Sequence, residues 1–322
     1  MPLPQRHPRL PKLRANSLLR FQHPKTTASK GAPVTQILDI TLPILVIVLL
    51  GFFYSRAVKP ELAGVNRMTI DLLLPILIFT SMSSKGFDPR AALLFCFAVV
   101  LHIGATGILA LPLAKVSGAG ARAFLPCAMF TNVGPIGIPL IVLAYGAQGL
   151  PLAVVLLVVS NILHFTLGAG IMSGRIDWRM LYANPLVWAT LLGLGFAQGG
   201  LHLPLWLDRP LAMISAVIVP LMLLSLGARL SSSQVRDASA GLRGAVLAAA
   251  VRLVACFAIL WLLPLSGLER GAFILYACLP SAMFNFMLAD KFNVAPNRVA
   301  SIVIMGHVAS LALLPLGLWL AL

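Results

Sequence analysis

Apolar and polar positions alternate along this chain on the scale of a bilayer rather than of a helix face. Long apolar runs fall at 37–54, 65–83, 91–114, 122–145, 150–172, 184–201, 210–229, 243–264, 271–289 and 298–321, joined by short polar connections. About 20 helical residues, each rising 1.5 Å, cross a hydrocarbon core of roughly 30 Å. Period-two alternation is missing from the runs, which argues against a barrel. The pattern predicts an all-α polytopic membrane protein with ten transmembrane helices.

Two of the ten runs carry their own interruption. Span 4 contains "TNVGPIGIPL", Thr131 to Leu140, where two prolines, two glycines and an asparagine stand in ten residues. Pro135 and Pro139 cannot donate an i to i−4 hydrogen bond. Gly134 and Gly137 accept backbone angles that other residues resist. These residues predict an unwound segment between two half-helices, with Pro139 in the first turn of the second. At membrane depth such backbone is tolerated only inside protein or against a watery cavity. The exposed N-terminus of a half-helix favours an anion, and Asn132 adds amide donors and an acceptor beside it. Span 9 has a weaker counterpart, "LPSAMFNF", Leu279 to Phe286, with one proline and no glycine. Ser281 and Asn285 share a helix face there if the segment is helical; each is a candidate binding residue or a polar bridge to a neighbouring helix.

The halves of the chain are weakly alike. "DLLLPILIFTSMS" in span 2 and "AVIVPLMLLSLGA" in span 7 each place a proline at mid-span, Pro75 and Pro220, and "RAFLPCAMFTN" in span 4 resembles "RGAFILYACLPSAMFN" in span 9. Five spans separate the members of each pair, so the halves, 34–176 and 177–322, are expected to cross the membrane in opposite directions. Inverted repeats of this kind characterise secondary transporters.

Composition fits a membrane protein: 59% of the 322 residues are hydrophobic, 10% are charged, and the mean hydropathy is +0.96. Cys96, Cys127, Cys256 and Cys278 all lie in apolar runs without a CxxC pair, and read as small core residues. Charge changes the picture at two points. Twelve Lys and Arg occupy the loops after spans 1, 3, 5, 7 and 9, against four (Lys85, Arg90, Arg209 and Arg270) on the opposite side, which puts both ends of the bundle outside. Residues 1–33 conflict with that orientation, holding seven Lys or Arg, six prolines and no acid. Three readings stay open for this tail: a misassigned start ahead of Val34, an Arg-rich targeting segment, or a basic tail that overrides the loops. It carries no nucleic-acid-binding motif beyond its charge.

Ionisable residues inside the spans each need a reason. His164 follows Ser160 and Asn161 on one stripe of span 5, and His307 precedes Ser310 in span 10, so each half contributes a histidine from a corresponding span. Either is a structural hydrogen-bonding residue or a proton carrier. Asp71, four residues after Arg67, reads as half of a local ion pair or else as a coupling or electrostatic residue; Asp39 and the Asp290–Lys291 pair read as interfacial. Arg252 lies nine residues beyond Arg243, about 13.5 Å deeper and near mid-membrane, and its approximate counterpart in span 3 is His102. Arg252 therefore binds the free carbonyls of a broken helix, supplies positive potential to an anion, or snorkels to the inner surface.

These residues resemble those of a known family. "NVGPIGIPL" looks like the N-x-G-x-x-G-I-P-L crossover of the auxin efflux carrier family, which includes bacterial organic-acid carriers, and is related to the bile acid/sodium symporter-like fold. "ITLPILVIVLLGFFYSR", "NRMTIDLLLPILIFTSM" and "NPLVWATLLGLGFAQGGLHLP" are similar to its first, second and sixth spans. The resemblance covers about Val34 to Leu322. It implies ten spans in two inverted repeats, a scaffold of spans 1, 2, 6 and 7, and a transport domain of spans 3–5 and 8–10 whose helices 4 and 9 are unwound where they cross. It further implies carboxylate substrates at that crossing, near Asn132, Gly134, Pro135, Gly137, Asn161, Ser281 and Asn285, and an elevator-like movement of the transport domain. A homodimer through the scaffold helices is a possible assembly. Pro135 and Asn285 depart from the family pattern, so a plant hormone substrate does not carry over.

The resulting expectation is a carrier of small organic anions in the bacterial inner membrane, with no cofactor and with coupling to protons or sodium left open. A channel or receptor-like sensor on a carrier fold is the second class. An intramembrane enzyme is disfavoured, since HExxH and a GxSG-like nucleophile site are both missing, and no P-loop is present for ATP-driven pumping.

Overall fold

The computed structural model describes residues 33–83, 89–179, 183–232 and 237–322; the basic tail up to residue 32, Lys85 and Arg236 lie outside them. The described residues form twelve helices and no strand beyond a single antiparallel bridge. They are α1 Pro33–Val58, α2 Ala63–Met82, α3 Pro89–Ala110, α4 Ala121–Met129, α5 Ile138–Tyr145 and α6 Leu150–Ser173, then α7 Pro185–Gln198, α8 Leu205–Ser232, α9 Ala238–Leu262, α10 Gly267–Cys278, α11 Phe284–Lys291 and α12 Pro296–Ala321. Local signals set several boundaries. The Asn184 side chain accepts from the Leu186 N–H at 3.0 Å and starts α7, and Asp237 does the same for Ala240 at the start of α9. Gly174 closes α6 with φ +81°.

Seven helices (α1, α2, α3, α6, α8, α9 and α12) are long and apolar enough to cross a membrane, which makes the chain an integral multi-pass protein. The predicted spans 4, 6 and 9 correspond to shorter pieces. Span 6 is the 14-residue α7, and spans 4 and 9 are each divided in two, as α4 with α5 and α10 with α11.

The helices pack in two interleaved groups drawn from both ends of the chain. α1 lies along α8, and α2 packs on α7 and α8. In the second group α9 packs on α3, α4, α10 and α12, while α3 also packs on α6. α1 and α8 touch backbone to backbone: a Cβ on Gly51 would collide with the Leu224 carbonyl, and one on Gly227 with that of Val48. The groups meet where α2 reaches α6, where α1 reaches α5 and α12, and where α8 reaches the turn before α5.

Three π-helical turns interrupt the regular winding: Thr69–Leu73 within α2, Val133–Gly137 ahead of α5, and His164–Gly168 within α6. The first two each end two residues before a proline, Pro75 and Pro139, whose ring displaces the carbonyl four residues back. In the third, the Thr166 hydroxyl bonds the Ile162 carbonyl at 2.7 Å.

Candidate functional site

The two broken spans cross and repair one another. Chain direction leaves the helix at Phe130 (φ −112°, ψ 124°) and at Leu279 (φ −63°, ψ 146°). Thr131 and Ser281 face each other in an antiparallel bridge. The Asn132 N–H donates to the Pro280 carbonyl and the Ala282 N–H to that of Phe130, both at 2.9 Å. Backbone groups freed by each break are thus satisfied largely by the other.

The break in span 4 lies upstream of its predicted place. Only Phe130 to Asn132 leaves the helical winding, and "VGPIG", expected to be unwound, is wound as the π turn. Ile136 and Gly137 both donate to the Asn132 carbonyl, at 3.3 and 3.2 Å. Gly134 and Gly137 accordingly have no special backbone angle. Their role is close packing: a Cβ would stand 2.8 Å from Met222 Cε at Gly134 and 2.9 Å from Leu279 Cδ1 at Gly137.

The carbonyls at the end of α4 are held by two buried side chains. Ser281 Oγ donates to the Cys127 carbonyl at 2.6 Å. Arg252 Nη1 donates to Cys127 at 3.2 Å and to Ala128 at 3.4 Å. Arg252 is 2% exposed and stands behind the crossing. His102, also buried, donates from Nε2 to the Arg252 backbone carbonyl at 3.0 Å. Of the three readings of Arg252, the geometry matches the one in which it binds the carbonyls of a broken helix.

Each break carries an asparagine bonded to a histidine of the opposite half. His307 Nδ1 donates to the Val303 carbonyl at 2.7 Å, so its Nε2 is an acceptor and receives the Asn132 amide at 2.9 Å. His164 Nε2 donates to Asn285 Oδ1 at 2.8 Å, and Asn285 Nδ2 reaches back to the Phe130 carbonyl at 3.4 Å. The His164 ring stacks on Phe130, with centroids 4.3 Å apart and planes 3° apart, and meets the edge of Phe284 at 5.3 Å.

A cavity of about 640 Å³ opens between the two helix groups at this point. Its walls come from the π turn and Thr131 to Pro135, from Ala282 to Phe284 and Met287 at the start of α11, and from Leu157 to Phe165 of α6. α2, α7 and α8 close the opposite wall with Asn66, Arg67, Asp71, Asn184, Ser225 and Arg229. Arg67 and Asp71 form the expected ion pair at 3.4 Å, largely exposed. Such a pair contributes little to stability but leaves both charges at the mouth.

Six of the residues singled out in the sequence line this cavity: Asn132, Gly134, Pro135, Asn161, His164 and Asp71. Gly137, Ser281, Asn285, His307, Arg252 and His102 do not; they are buried behind its wall and hold the crossing in shape. The sequence did not mark Asn66, Asn184 or Arg229. A signal for Arg229 was present, since Met222, Ser225, Leu226 and Arg229 recur at helical spacing on one face of α8. All three π turns contribute to the wall, a feature that periodicity alone does not show.

Comparison with known proteins fits this geometry. The profile of the membrane transport protein family matches residues 37–177 and 170–320. An uncharacterized transporter of Methanothermobacter thermautotrophicus is 28% identical over 295 residues, covering 86% of this chain and 96% of that protein. One from Methanocaldococcus jannaschii is 25% identical over 309 residues, covering 88% and 99%. Auxin efflux carrier component 1 of Arabidopsis thaliana is 26% identical over 142 residues, which is 42% of this chain and 23% of the plant protein.

Proposed function

Because the chain belongs to the membrane transport protein family, of auxin efflux carrier type, we propose that it is a secondary carrier of small organic anions, with the carboxylate seated in the cavity at the crossing. One observation carries this reading. The N-terminal turns of both second half-helices, Val133–Pro135 and Ala282–Phe284, meet on the wall of one cavity whose mouth holds Arg67 and Arg229. Helix N-termini present free N–H groups and partial positive charge. In the first of these turns the N–H groups of Val133, Ile136 and Gly137 are engaged and Pro135 has none, which leaves that of Gly134. One amide hydrogen of Asn132 is committed to His307, and the second is available to a ligand.

The proposed architecture is ten spans in two inverted repeats, 34–176 and 177–322, with α1, α2, α7 and α8 as scaffold and the other helices as the moving body. The interleaved packing of the two groups supports an elevator-like movement, since the cavity lies on the surface along which they would slide. By the loop charges the cavity faces the cytoplasm, and the proposed location is the bacterial cytoplasmic membrane. Pairing of two copies through α1, whose Leu42, Val46, Leu50 and Phe53 are exposed, belongs to the same proposal.

Counterflow in proteoliposomes tests it. Vesicles loaded with unlabelled acetate, malonate, succinate or indole-3-acetate are expected to accumulate the labelled form of the transported anion transiently. Asn132→Ala should weaken that anion's apparent affinity by about tenfold or more, the loss of roughly 1.5–3 kcal/mol for a hydrogen bond to a charged group. Flux without counterflow would indicate a channel, and absence of exchange for all four would remove the carboxylate reading.

A further inference from the structure

Three buried histidines surround the crossing, and their hydrogen bonds give them different capacities for a second proton. His307 has both ring nitrogens engaged, Nδ1 as donor to Val303 and Nε2 as acceptor from Asn132. A proton on Nε2 would set two donors against each other and break the link to Asn132. His102 gives Nε2–H to the Arg252 carbonyl, and its Nδ1 has no partner among the described residues. A second proton there would share a buried site with the Arg252 guanidinium. His164 also gives Nε2–H to an acceptor, Asn285 Oδ1, and its Nδ1 carries no bond, but of the three it alone has its ring on the cavity wall. Protonation at Nδ1 leaves its existing bond intact. The stacked Phe130 ring then faces a cation, a favourable arrangement.

We propose that His164 is the proton-binding residue of the cavity: it takes a proton from solvent on Nδ1 as an anion enters, so that proton and anion bind together. Its anion rests on the carrier reading above, and its proton site rests on the hydrogen-bond geometry. A buried imidazolium needs a counter-charge, and an incoming carboxylate brings one. Other ionisable groups around His164 do not supply it. On the wall, Asp71 of α2 is paired with Arg67, and α8 brings Arg229. Behind it stand His102 on α3, Cys127 on α4, and Tyr276 with Cys278 on α10; Tyr145 on α5 bonds the Ala321 carbonyl. Arg122 of α4 bonds the Met172 carbonyl at the end of α6, and α11 faces His164 with Asn285, its Asp290 and Lys291 lying at the far end. α7 contributes Asn184 to the cavity and no charge.

The test is a histidine titration by NMR on full-length, histidine-labelled protein in lipid nanodiscs, from about pH 8 to 5. Single replacements H7Q, H23Q, H102Q, H164Q, H202Q and H307Q assign the six signals; if H164Q does not fold, its signal follows by elimination. Without ligand, His164 is expected to protonate before His102 and His307. Protonation of either of those first, or a His164 neutral until the protein unfolds, overturns the proton site. Acetate, malonate, succinate and indole-3-acetate are then added in turn. A bound anion is expected to raise the His164 midpoint by about one pH unit and, by linkage, to bind about tenfold more tightly at the low end of the range. That pH dependence should vanish in H164Q and persist in H202Q. Its survival in H164Q overturns the coupling. If a probe binds without shifting His164, the coupling alone fails; if none of the four binds although His164 titrates first, the carboxylate reading and the coupling fail together while the proton site stands.

Discussion

Leu125–Phe130 reads LPCAMF and Leu279–Phe284 reads LPSAMF, two hexapeptides that differ at one position and adopt different structures. In the first, residues through Met129 are helical, with Pro126 inside α4. In the second, the chain is extended from Leu279, and Pro280 and Ser281 form the crossing itself. The residue before a proline is biased toward extended backbone. Leu279 follows that bias; Leu125 does not. Pro126 falls six residues into α4, so the carbonyl it leaves unpaired is that of Arg122 in the first turn. Pro280 follows a complete 12-residue helix, and no later turn of that helix exists to hold it. The same six letters break a span or continue it according to where they fall in the helix and what accepts the freed groups.

The single difference between the hexapeptides lies at their contact. Ser281 donates to the carbonyl of Cys127, its counterpart in the first copy. The breaks are also held unequally. α4 ends on a buried guanidinium, whereas His102, at the corresponding place in α3, spends its Nε2 on the Arg252 carbonyl and not on the end of α10.

The largest way to break this comparison is Arg252→Gln. It removes a charged donor from two buried carbonyls, and the expected loss is about 3 kcal/mol, read as a lower apparent melting temperature in detergent. Arg252→Lys should recover part of it. Normal stability with weakened anion binding would instead make Arg252 an electrostatic residue. Ser281→Ala should cost about 1–2 kcal/mol, because the hydroxyl and its bond at 2.6 Å disappear inside the protein. Ser281→Cys makes the hexapeptides identical and sharpens the question. The second copy is expected to stay extended, with a stability loss no larger than that of Ser281→Ala; a structure in which 279–283 had become helical would show that the serine made the break. The smallest effect is expected for Pro126→Ala, within about 1 kcal/mol of the unmodified protein, and smaller than for Pro280→Ala, by the same melting measurement.

The site was legible in part. Asn132, Gly134, Pro135, Asn161 and His164 could be singled out because polar and helix-breaking residues are conspicuous in apolar spans. The cavity's other wall was not, because Asn66, Asn184 and Arg229 are ordinary residues near helix ends and matter only through what packs opposite them. Asn285 was recognised as a polar residue of the break, but its side chain serves His164 and Phe130 behind the wall.

By itself the sequence determined that this chain is helical, crosses a membrane several times and interrupts two of its spans. Backbone polar groups cannot go unpaired in hydrocarbon, and long apolar runs with prolines leave few other solutions. Tertiary structure decided where each interruption begins, which groups repair it and which way each asparagine turns. The partners that settle those points, His307 for Asn132 and His164 for Asn285, stand 175 and 121 residues away along the chain. A hydrogen bond between such distant positions has no local signature in the residues that make it.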